Sequence, residues 1–243
     1  MTTRVLSVII ARAGSKGVKS KCILPIGDDI VVGKIIKWAS ELKWNPNGII
    51  FDTIVSTDIN SLKALCRKHG VDYMSRSPEL ASDDARVEEV IYDACKRKGG
   101  SYDYISLLYG NVPTRYKDMI IDPVIYLNNN PKTDAVFSFQ HVEKYNPAWM
   151  TARAVDGNIP HDWKFESYRR QDLPERIISD GHTKIFRYDY FMNFMKDANY
   201  AGYMYEQFGK YIYPWINDKL IIDIDSPKDY ILAQSYFHYI DTH

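Results

Sequence analysis

The hydrophobic positions of the first 140 residues fall into two alternating patterns. Short, continuous apolar runs, such as residues 5–11 and 103–109, are typical of strands buried on both faces. Between them, longer stretches such as residues 30–43 carry apolar residues at helical spacing. The predicted strands are 5–11, 49–56, 71–74, 103–109 and 134–140, and the predicted helices are 30–43, 60–69, a helix capped by Ser82 or Asp83 that ends near 98, and 119–129. This strand–helix alternation predicts a parallel sheet with right-handed crossovers.

The pattern changes after residue 140. Residues 141–181 are polar and aromatic and are interrupted by prolines and glycines, so we expect an irregular excursion or a small β-lobe. Further on we expect strands at 184–187, 211–215 and 220–225, a helix at 188–196, and a last helix with Ser226 as N-cap and Pro227 at its first position. The sequence therefore predicts one α/β domain over residues 1–243, with a three-layer, mostly parallel Rossmann-like sheet and an inserted lobe at 141–181.

The loop after the first predicted strand carries two glycines, a serine and four cationic side chains. These residues are Arg12, Gly14, Ser15, Lys16, Gly17, Lys19 and Lys21. Glycines allow backbone N–H groups to approach an anion closely, and Lys and Arg bind phosphate. The spacing matches neither the Walker A loop nor the G-x-G-x-x-G fingerprint. The loop is therefore either a nucleotide-phosphate loop of another type or a basic surface turn between a strand and a helix.

Other polar loops fall at the predicted carboxyl edge of the sheet, where ligands bind in open α/β sheets. They contain Asp58, residues 76–83 and residues 109–115. Two further carboxylates, Asp223 and Asp225, lie two residues apart on a predicted strand, so both side chains point to one face. Such a pair suits Mg²⁺, which takes few protein ligands and leaves room for phosphate oxygens. The alternative is that the pair only stabilises the N-terminus of the last helix.

Composition narrows the class of function. The chain has 31 basic and 31 acidic residues and a net charge of zero, which argues against a general nucleic-acid or membrane-surface binder. Cys22, Cys66 and Cys95 are far apart and form neither a C-x-x-C pair nor a zinc-site spacing, so we expect no structural disulfide. We see no signal-peptide pattern and no apolar run near about 18 residues. These features lead us to expect a cytoplasmic enzyme with no nucleic-acid or membrane partner.

Four motifs, in order along the chain, resemble the CMP-sialic acid synthetases (acylneuraminate cytidylyltransferases), a family that includes relatives acting on legionaminic and pseudaminic acids. The motifs are residues 10–17 (Ile-Ala-Arg-Ala-Gly-Ser-Lys-Gly) with Lys21, the triplet Ser56-Thr57-Asp58, Arg76 with residues 79–83 (Glu-Leu-Ala-Ser-Asp), and residues 222–225 (Ile-Asp-Ile-Asp). The resemblance spans about residues 4–232. It implies a fold of the nucleotide-diphospho-sugar transferase type. It also implies that CTP and a 2-keto sugar acid give a CMP-sugar and pyrophosphate, by in-line attack of the anomeric hydroxyl on the α-phosphate.

The resemblance implies roles for the motif residues as well. The residues expected to bind the triphosphate are Arg12, Gly14, Ser15 and Lys16, and those expected to bind the cytidine are Arg76, Leu80, Ala81 and Ser82. Lys21 would stabilise charge at the α-phosphate, and Asp223 and Asp225 would carry Mg²⁺ against the phosphates. The expected catalytic residues are therefore Lys21, Asp225 and Arg12. Either Asp225 or a metal-bound hydroxide would activate the acceptor hydroxyl.

Residues 141–181 are similar to the dimerisation lobe of the family, which implies a homodimer. Arg170 lies there in a segment similar to Arg-Gln-Gln-Leu-Pro and suits the carboxylate of the sugar, although the residues alone would favour a solvated basic turn. Tyr109 stands where the family has a glutamine that helps to recognise the sugar, Cys22 stands where asparagine is usual, and residues 177–181 replace a stretch with an arginine and Asn-Gly. The expected substrate-binding residues are Tyr109, Arg170, Gln171 and Asp180.

The nucleotide half of the chain thus matches the family, while the sugar half departs from it. This difference indicates another nonulosonic acid, or another 2-keto sugar acid such as 3-deoxy-octulosonate. Two alternatives stay open: a sugar nucleotidyltransferase with a different base or sugar, and a degenerate relative that binds nucleotide without catalysis or serves as an assembly partner. The match at residues 76–82 argues against a purine. Retention of Lys21, Asp223 and Asp225 argues against loss of catalysis.

Overall fold

The structure is a computed structural model that describes residues 2–14, 17–142, 145–151, 167, 169–197 and 205–242. Its strands are β1 (Arg4–Ala11), β2 (Pro25–Ile26), β3 (Asp29–Ile30), β4 (Ile50–Thr57), β5 (Asp72–Ser75), β6 (Tyr104–Tyr109), β7 (Ala135–His141), β8 (Ile177–Arg187) and β9 (Ile212–Ile216). Its α-helices are α1 (Val31–Ser40), α2 (Leu62–His69), α3 (Pro78–Ala81), α4 (Val87–Lys98), α5 (Asp118–Asn129), α6 (Tyr188–Phe194) and α7 (Pro227–Thr242). Across these described ranges, no helix combines the length and the apolarity that a membrane span requires.

Seven of the strands form one sheet, in the order β5-β4-β1-β6-β8-β7-β9, and β2 pairs with β3 in a separate ribbon. β1 pairs in parallel with β4 on one side and with β6 on the other. β8 runs antiparallel to both of its neighbours, β6 and β7, and the remaining pairs of the seven-stranded sheet are parallel. The mostly parallel sheet predicted from the strand–helix alternation is confirmed.

Alternate residues of each strand enter two different hydrophobic cores. On β1, Val5 and Ile9 pack with residues of α1, α2 and α5. Their neighbours Leu6 and Val8 pack with residues of α4 and α6. Because successive side chains of a strand point to opposite faces of the sheet, the two cores lie on its two faces. The predicted three-layer arrangement is confirmed, and it leaves the carboxyl edge of the sheet free for loops.

The strand predicted for residues 220–225 is wrong. These residues form an extended segment outside the sheet, because their backbone groups pair with the loop that follows β6 and not with a strand. The backbone N–H of Ile222 donates to Thr114 Oγ1 at 2.9 Å, and that of Ile224 donates to the carbonyl of Asn111 at 3.0 Å. Ile222 and Ile224 are buried while Asp223 and Asp225 are exposed. The prediction that the two aspartates share a face therefore stands.

Two boundaries also differ from the predicted ones. Neither Ser82 nor Asp83 caps α4, which begins at Val87, because the Ser82 hydroxyl donates to the carbonyl of Glu79 at the end of the short helix α3. β8 begins at Ile177 and not at residue 184, so the end of the predicted irregular region belongs to the sheet. The predicted N-terminus of the last helix is confirmed: α7 begins at Pro227, and the backbone N–H of Asp229 donates to the Ser226 hydroxyl at 3.4 Å.

Candidate active site

A cleft of about 470 Å³ opens where the loops after β1, β5 and β6 meet. The described residues that line it are Ile10, Ala11, Arg12, Gly17, Lys21, Cys22, Arg76, Leu80, Ser82, Asp83, Ala85, Val87, Val90, Tyr109, Asn111 and Asp225. The structure therefore brings together most of the residues that the sequence proposes for the nucleotide. Gly14, Ala81 and Asp223 are not among these lining residues, and Ser15 and Lys16 lie outside the described part of the chain.

The loop after β1 is held close to the segment that carries the two aspartates. A Cβ atom on Gly17 would lie 2.3 Å from the backbone oxygen of Asp225, whereas a Cβ atom on Gly14 would meet nothing within 4 Å among the described residues. The backbone N–H of Ala13 donates to Asp58 Oδ1 at 2.9 Å, which ties the start of the loop to the end of β4. Glycine is therefore required at Gly17 by close backbone approach, and this approach joins two walls of the cleft.

Arg12 connects the loop after β1 to the loop after β5. Its guanidinium donates to the carbonyl of Ser82 at 2.9 Å and pairs with the carboxylate of Asp83 at 2.8 Å. About a third of the Arg12 side chain is exposed, and so is 42% of the Asp83 side chain. An anionic ligand in the cleft therefore competes with Asp83 for a guanidinium that is already oriented.

Arg76 forms a buried cationic wall of the cleft. It is 8% exposed, and its guanidinium donates to the carbonyl of Ser56 at 2.6 Å. Removal from water lowers its pKa, and the charge of Asp58 opposes that effect. Next to it, the one-turn helix α3 begins at Pro78 and presents Leu80 and then Ser82 to the cleft. This combination of a buried cation, an apolar side chain and backbone groups suits a small polar heterocycle.

Lys21 and Asp225 both line the cleft and contact each other. Lys21 Nζ lies 2.5 Å from Asp225 Oδ1, and only 19% of the Lys21 side chain is exposed. The side-chain amide of Asn111 donates to Asp223 Oδ1 and also contacts Asp225 Oδ1 at 3.4 Å. One amide nitrogen therefore contacts both carboxylates and holds the two aspartates side by side, while the ammonium group of Lys21 contacts Asp225.

The two aspartates fit a magnesium ion by their chemistry. Asp223 is exposed as a residue, but its carboxylate is partly enclosed, with Oδ1 against the Asn111 amide and Oδ2 near Gly181. Partial removal of the carboxylate from water, followed by the charge of Asp225, raises the pKa of Asp223 to about 6. A cation between two such carboxylates relieves their mutual repulsion. In the described residues there is no cluster of three or more His, Cys, Asp or Glu able to hold a metal. Mg²⁺ requires none, because phosphate oxygens and water complete its coordination.

The residues predicted to bind the acceptor sugar are dispersed. Tyr109 lines the cleft, but Gln171 is exposed away from its described lining. The carboxylate of Asp180 accepts hydrogen bonds from the Ser138 hydroxyl, from the backbone N–H of His182 at 2.9 Å and from the Asn217 amide at 2.7 Å. Asp180 thus links β7, β8 and the segment after β9. Arg170 begins a 3₁₀ turn, and its side chain is outside the described part of the structure.

Two residues of this region were not predicted as site residues. Asn111 lies in the loop after β6. Its carboxamide falls at the predicted carboxyl edge of the sheet, and this position could have marked it as a site residue. Lys184 lies on β8 between buried neighbours, and Lys184 Nζ contacts the Tyr109 hydroxyl at 3.1 Å. A lysine within an otherwise apolar strand was the signal there, since such a residue rarely becomes buried without a reason.

Known proteins share both the sequence and the fold. The profile of the family described as Cytidylyltransferase matches residues 6–213. An "N-acylneuraminate cytidylyltransferase" from Streptococcus agalactiae serotype V is 26% identical over 240 residues, covering 96% of this chain and 54% of the relative. A "Post-translational flagellin modification protein B" from Campylobacter coli is 25% identical over 237 residues, covering 96% of this chain and 94% of the relative.

A solved structure supports the fold. The CMP:2-keto-3-deoxy-manno-octonic acid synthetase complexed with CTP aligns with a TM-score of 0.69 and 13% identity, covering 98% of this chain and 99% of that one. At that identity the likeness concerns the fold alone, and the fold is that of the nucleotidyltransferases. The chain spans about half the length of the first curated relatives it matches. The profile match over residues 6–213 shows that the chain belongs to the cytidylyltransferase family.

Proposed function

We propose that this protein transfers CMP from CTP to the anomeric hydroxyl of a 2-keto sugar acid, releasing pyrophosphate and forming a CMP-sugar. The observation that carries the proposal is the contact of Lys21 with Asp225 inside the cleft, at 2.5 Å. It places a cation and an acidic pair beside a glycine-containing loop. Nucleotidyl transfer depends mainly on positioning and on stabilising phosphate charge, and this arrangement supplies both.

The triphosphate would lie along the loop after β1. Arg12, with Ser15 and Lys16 of the loop, would bind its oxygens, and the backbone N–H of Gly14 would donate to them. Lys21 would donate to the α-phosphate, where negative charge develops as the anomeric oxygen attacks and pyrophosphate leaves. The ammonium is pre-positioned by Asp225, so little reorganisation is needed when the substrate binds.

The cytidine would occupy the part of the cleft next to β4 and β5. Arg76 is fixed there by the Ser56 carbonyl, and Leu80 and Ser82 line the same part. Ala81 would contribute its backbone. A slot of this size with fixed backbone donors and acceptors would favour a pyrimidine over a larger purine.

Asp223 and Asp225 would hold Mg²⁺, with Asn111 orienting both carboxylates. When bound, the ion supplies positive charge that neutralises the phosphate oxygens. Either Asp225 or a hydroxide held by the metal would accept the proton of the acceptor hydroxyl. The chain itself contributes the orientation, because the segment that carries the two aspartates is anchored through Ile222 and Ile224 to the loop after β6.

A homodimer is part of the proposal. Large apolar side chains in and beside the predicted lobe are exposed: Tyr145 by 66%, Met150 by 57% and Ile178 by 60%. A second copy of the chain that covers these residues would bring the region of Arg170 and Gln171 towards a sugar site. Sedimentation equilibrium tests this part of the proposal: a dimer supports it, and a monomer at micromolar concentration contradicts it.

The function is tested by measuring pyrophosphate release with CTP, Mg²⁺ and a panel of acids. The panel contains N-acetylneuraminic, legionaminic, pseudaminic and 3-deoxy-octulosonic acids, each also tested with ATP, GTP and UTP. We expect release with CTP and one acid. Release with a different nucleotide would favour another nucleotidyltransferase, and CTP binding without release for any acid would favour a degenerate relative.

A further inference from the structure

Lys184 is a buried lysine on the α4/α6 face of the sheet. It is 8% exposed, and it pairs with Leu107 on the neighbouring strand β6. Its Nζ lies 3.1 Å from the Tyr109 hydroxyl and 5.2, 5.5 and 5.2 Å from the ring centroids of Tyr109, Phe137 and Tyr205. The ammonium therefore lies within an aromatic enclosure, with one hydrogen bond to a neutral hydroxyl.

This environment places no carboxylate of the described residues in direct contact with the ammonium group, although the charge of Asp223 acts on it. Within the described ranges of the chain, Lys184 forms no ion pair, and two of its three N–H donors have no hydrogen-bond acceptor. Aromatic faces attract a cation, but burial of an ammonium group without a contacting anion is unfavourable. Removal from water lowers the pKa of Lys184, and the charges of Tyr205 and Asp223 oppose that effect only in part. A methionine of similar length would fill the same space without that cost. The charge is therefore better explained by an anion that binds there.

The order of the strands places this cation on the acceptor side of the cleft. Across the sheet, β5 and β4 carry the residues proposed for cytidine, β1 carries the phosphate loop, β6 carries Tyr109, and β8 carries Lys184. Tyr109 itself lines the cleft together with Asn111, and it pairs with Ile10 at the end of β1. A group that projects from the reacting centre away from the nucleotide would therefore approach Tyr109 first and Lys184 next.

We propose that Lys184, positioned by the Tyr109 hydroxyl, binds the carboxylate of the acceptor sugar acid. The inference rests on the proposed function, because the carboxylate of a 2-keto sugar acid is bonded to the carbon whose hydroxyl attacks. An ammonium–carboxylate hydrogen bond in an enclosed site is both short and strong, and it would fix the reacting hydroxyl relative to Lys21 and Asp225. Lys184 is thus a specificity-determining residue, and Tyr109 is its positioning residue.

The test compares a panel acid with its C1 methyl ester, which removes the negative charge of that group. For the wild type we expect the KM of the ester to exceed that of the acid by about 30-fold, the size of one charge-assisted hydrogen bond. In K184M the KM of the acid should rise by about the same factor while that of the ester stays within about threefold, so the ratio falls towards one. The KM for CTP should not change. In Y109F the KM of the acid should also rise relative to that of the ester, but by a smaller factor.

Controls for stability and for surface charge accompany the test. K184M should unfold at the same or a higher urea concentration than the wild type. K68M, at an exposed lysine of α2, should leave the ratio of the ester KM to the acid KM unchanged. A ratio that persists in K184M, or one that collapses only in R170A, overturns the assignment. Wild-type protein that releases no pyrophosphate with any acid of the panel overturns the proposed function and this assignment with it. An active wild type with an unchanged ratio in K184M overturns this assignment alone.

Discussion

The ammonium of Lys21 lies 2.5 Å from the carboxylate of Asp225, although 204 positions separate the two residues in the chain. Lys21 follows the glycine-containing loop after β1, and Asp225 lies two residues before the start of α7. The contact joins the first and the last motif of the domain at the point where we place the α-phosphate. Its two members are therefore expected to act on one reacting group.

Removing the Lys21 ammonium should lower kcat/KM for cytidylyl transfer by about 100- to 1000-fold, the usual cost of losing one donor to a charged transition state. Lys21→Met keeps most of the side-chain volume, so folding should be preserved. Lys19→Met, at an exposed position of the same loop, is the matched control and should behave as the wild type. A Lys21→Met protein with wild-type kcat would show that the ammonium does not act in the reaction.

Alanine at Gly17 should lower kcat/KM strongly, whereas alanine at Gly14 should leave it nearly unchanged. Gly17→Ala places a methyl group 2.3 Å from the backbone oxygen of Asp225, so the loop or the aspartate segment must move. Since a displacement of about 1 Å in an active site costs about 100-fold in rate, we expect a loss of that order in kcat/KM. Gly14→Ala meets no described atom within 4 Å and should change the rate by less than about threefold. Equal losses in both variants would contradict the close approach as its cause.

Asn111 should control the affinity for Mg²⁺. Its amide contacts Asp223 and Asp225, so Asn111→Ala leaves the two carboxylates free to separate. We expect the Mg²⁺ concentration that gives half-maximal rate to rise by about 10- to 100-fold, as for other residues that orient metal ligands. The KM for CTP at saturating Mg²⁺ should change little. Asn128→Ala is the control, because Asn128 bonds to Thr3 at the start of the chain, far from the carboxyl edge of the sheet. An unchanged magnesium requirement in Asn111→Ala would be evidence against this site.

His182 should make the protein sensitive to acid. Its Nε2 accepts a hydrogen bond from the backbone N–H of Tyr116 at 3.0 Å, and its Nδ1 lies 2.8 Å from Thr183 Oγ1, which donates to the carbonyl of Met119. The ring is fully buried between Trp38 and Tyr116, and burial, followed by the charges of Arg115 and Lys219, lowers its pKa to about 2. These contacts give His182 a structural role at the junction of β8 with the loop before α5.

The sign of the effect follows from the lowered pKa. Between about pH 6.5 and pH 2, His182 is protonated in the unfolded chain but neutral in the native state. The free energy of unfolding therefore falls by about 1.4 kcal/mol for each pH unit below 6.5. Urea unfolding of wild type and His182→Gln from pH 7.5 to 4.5 measures this slope. The variant should lose less stability on acidification, whereas His238→Gln, at an exposed position of α7, should follow the wild type. Parallel curves for wild type and His182→Gln would exclude the histidine as the cause.

Patterns that are local in the sequence predicted their part of the structure well. The apolar run of residues 5–11 predicted β1, and the glycines after it predicted the loop that follows. Both features depend only on neighbouring positions in the chain. Ser226 and Pro227 marked the start of α7 for the same reason. Asp223 and Asp225 share a face even though their segment is not a strand, since any extended backbone alternates its side chains.

Relations that depend on the topology were not available from the sequence. Lys184 faces Tyr109 only because β8 inserts in antiparallel orientation between β6 and β7. Asp180 was placed at the acceptor site, yet three donors brought together by β7, β8 and the segment after β9 hold its carboxylate. Asn111 acquires a role only when the segment of residues 222–225 lies against the loop that follows β6.

The central claim is that the α-phosphate of CTP moves to a sugar acid, and following the label of that phosphate tests it most directly. The protein is incubated with Mg²⁺, the panel acids and CTP labelled with ³²P at the α- or the γ-position. We expect the α-label to appear in an acid-dependent CMP-sugar and the γ-label to appear only in pyrophosphate. An α-label that remains in CMP or CDP regardless of the acid, or a γ-label transferred to the acid, would contradict cytidylyl transfer.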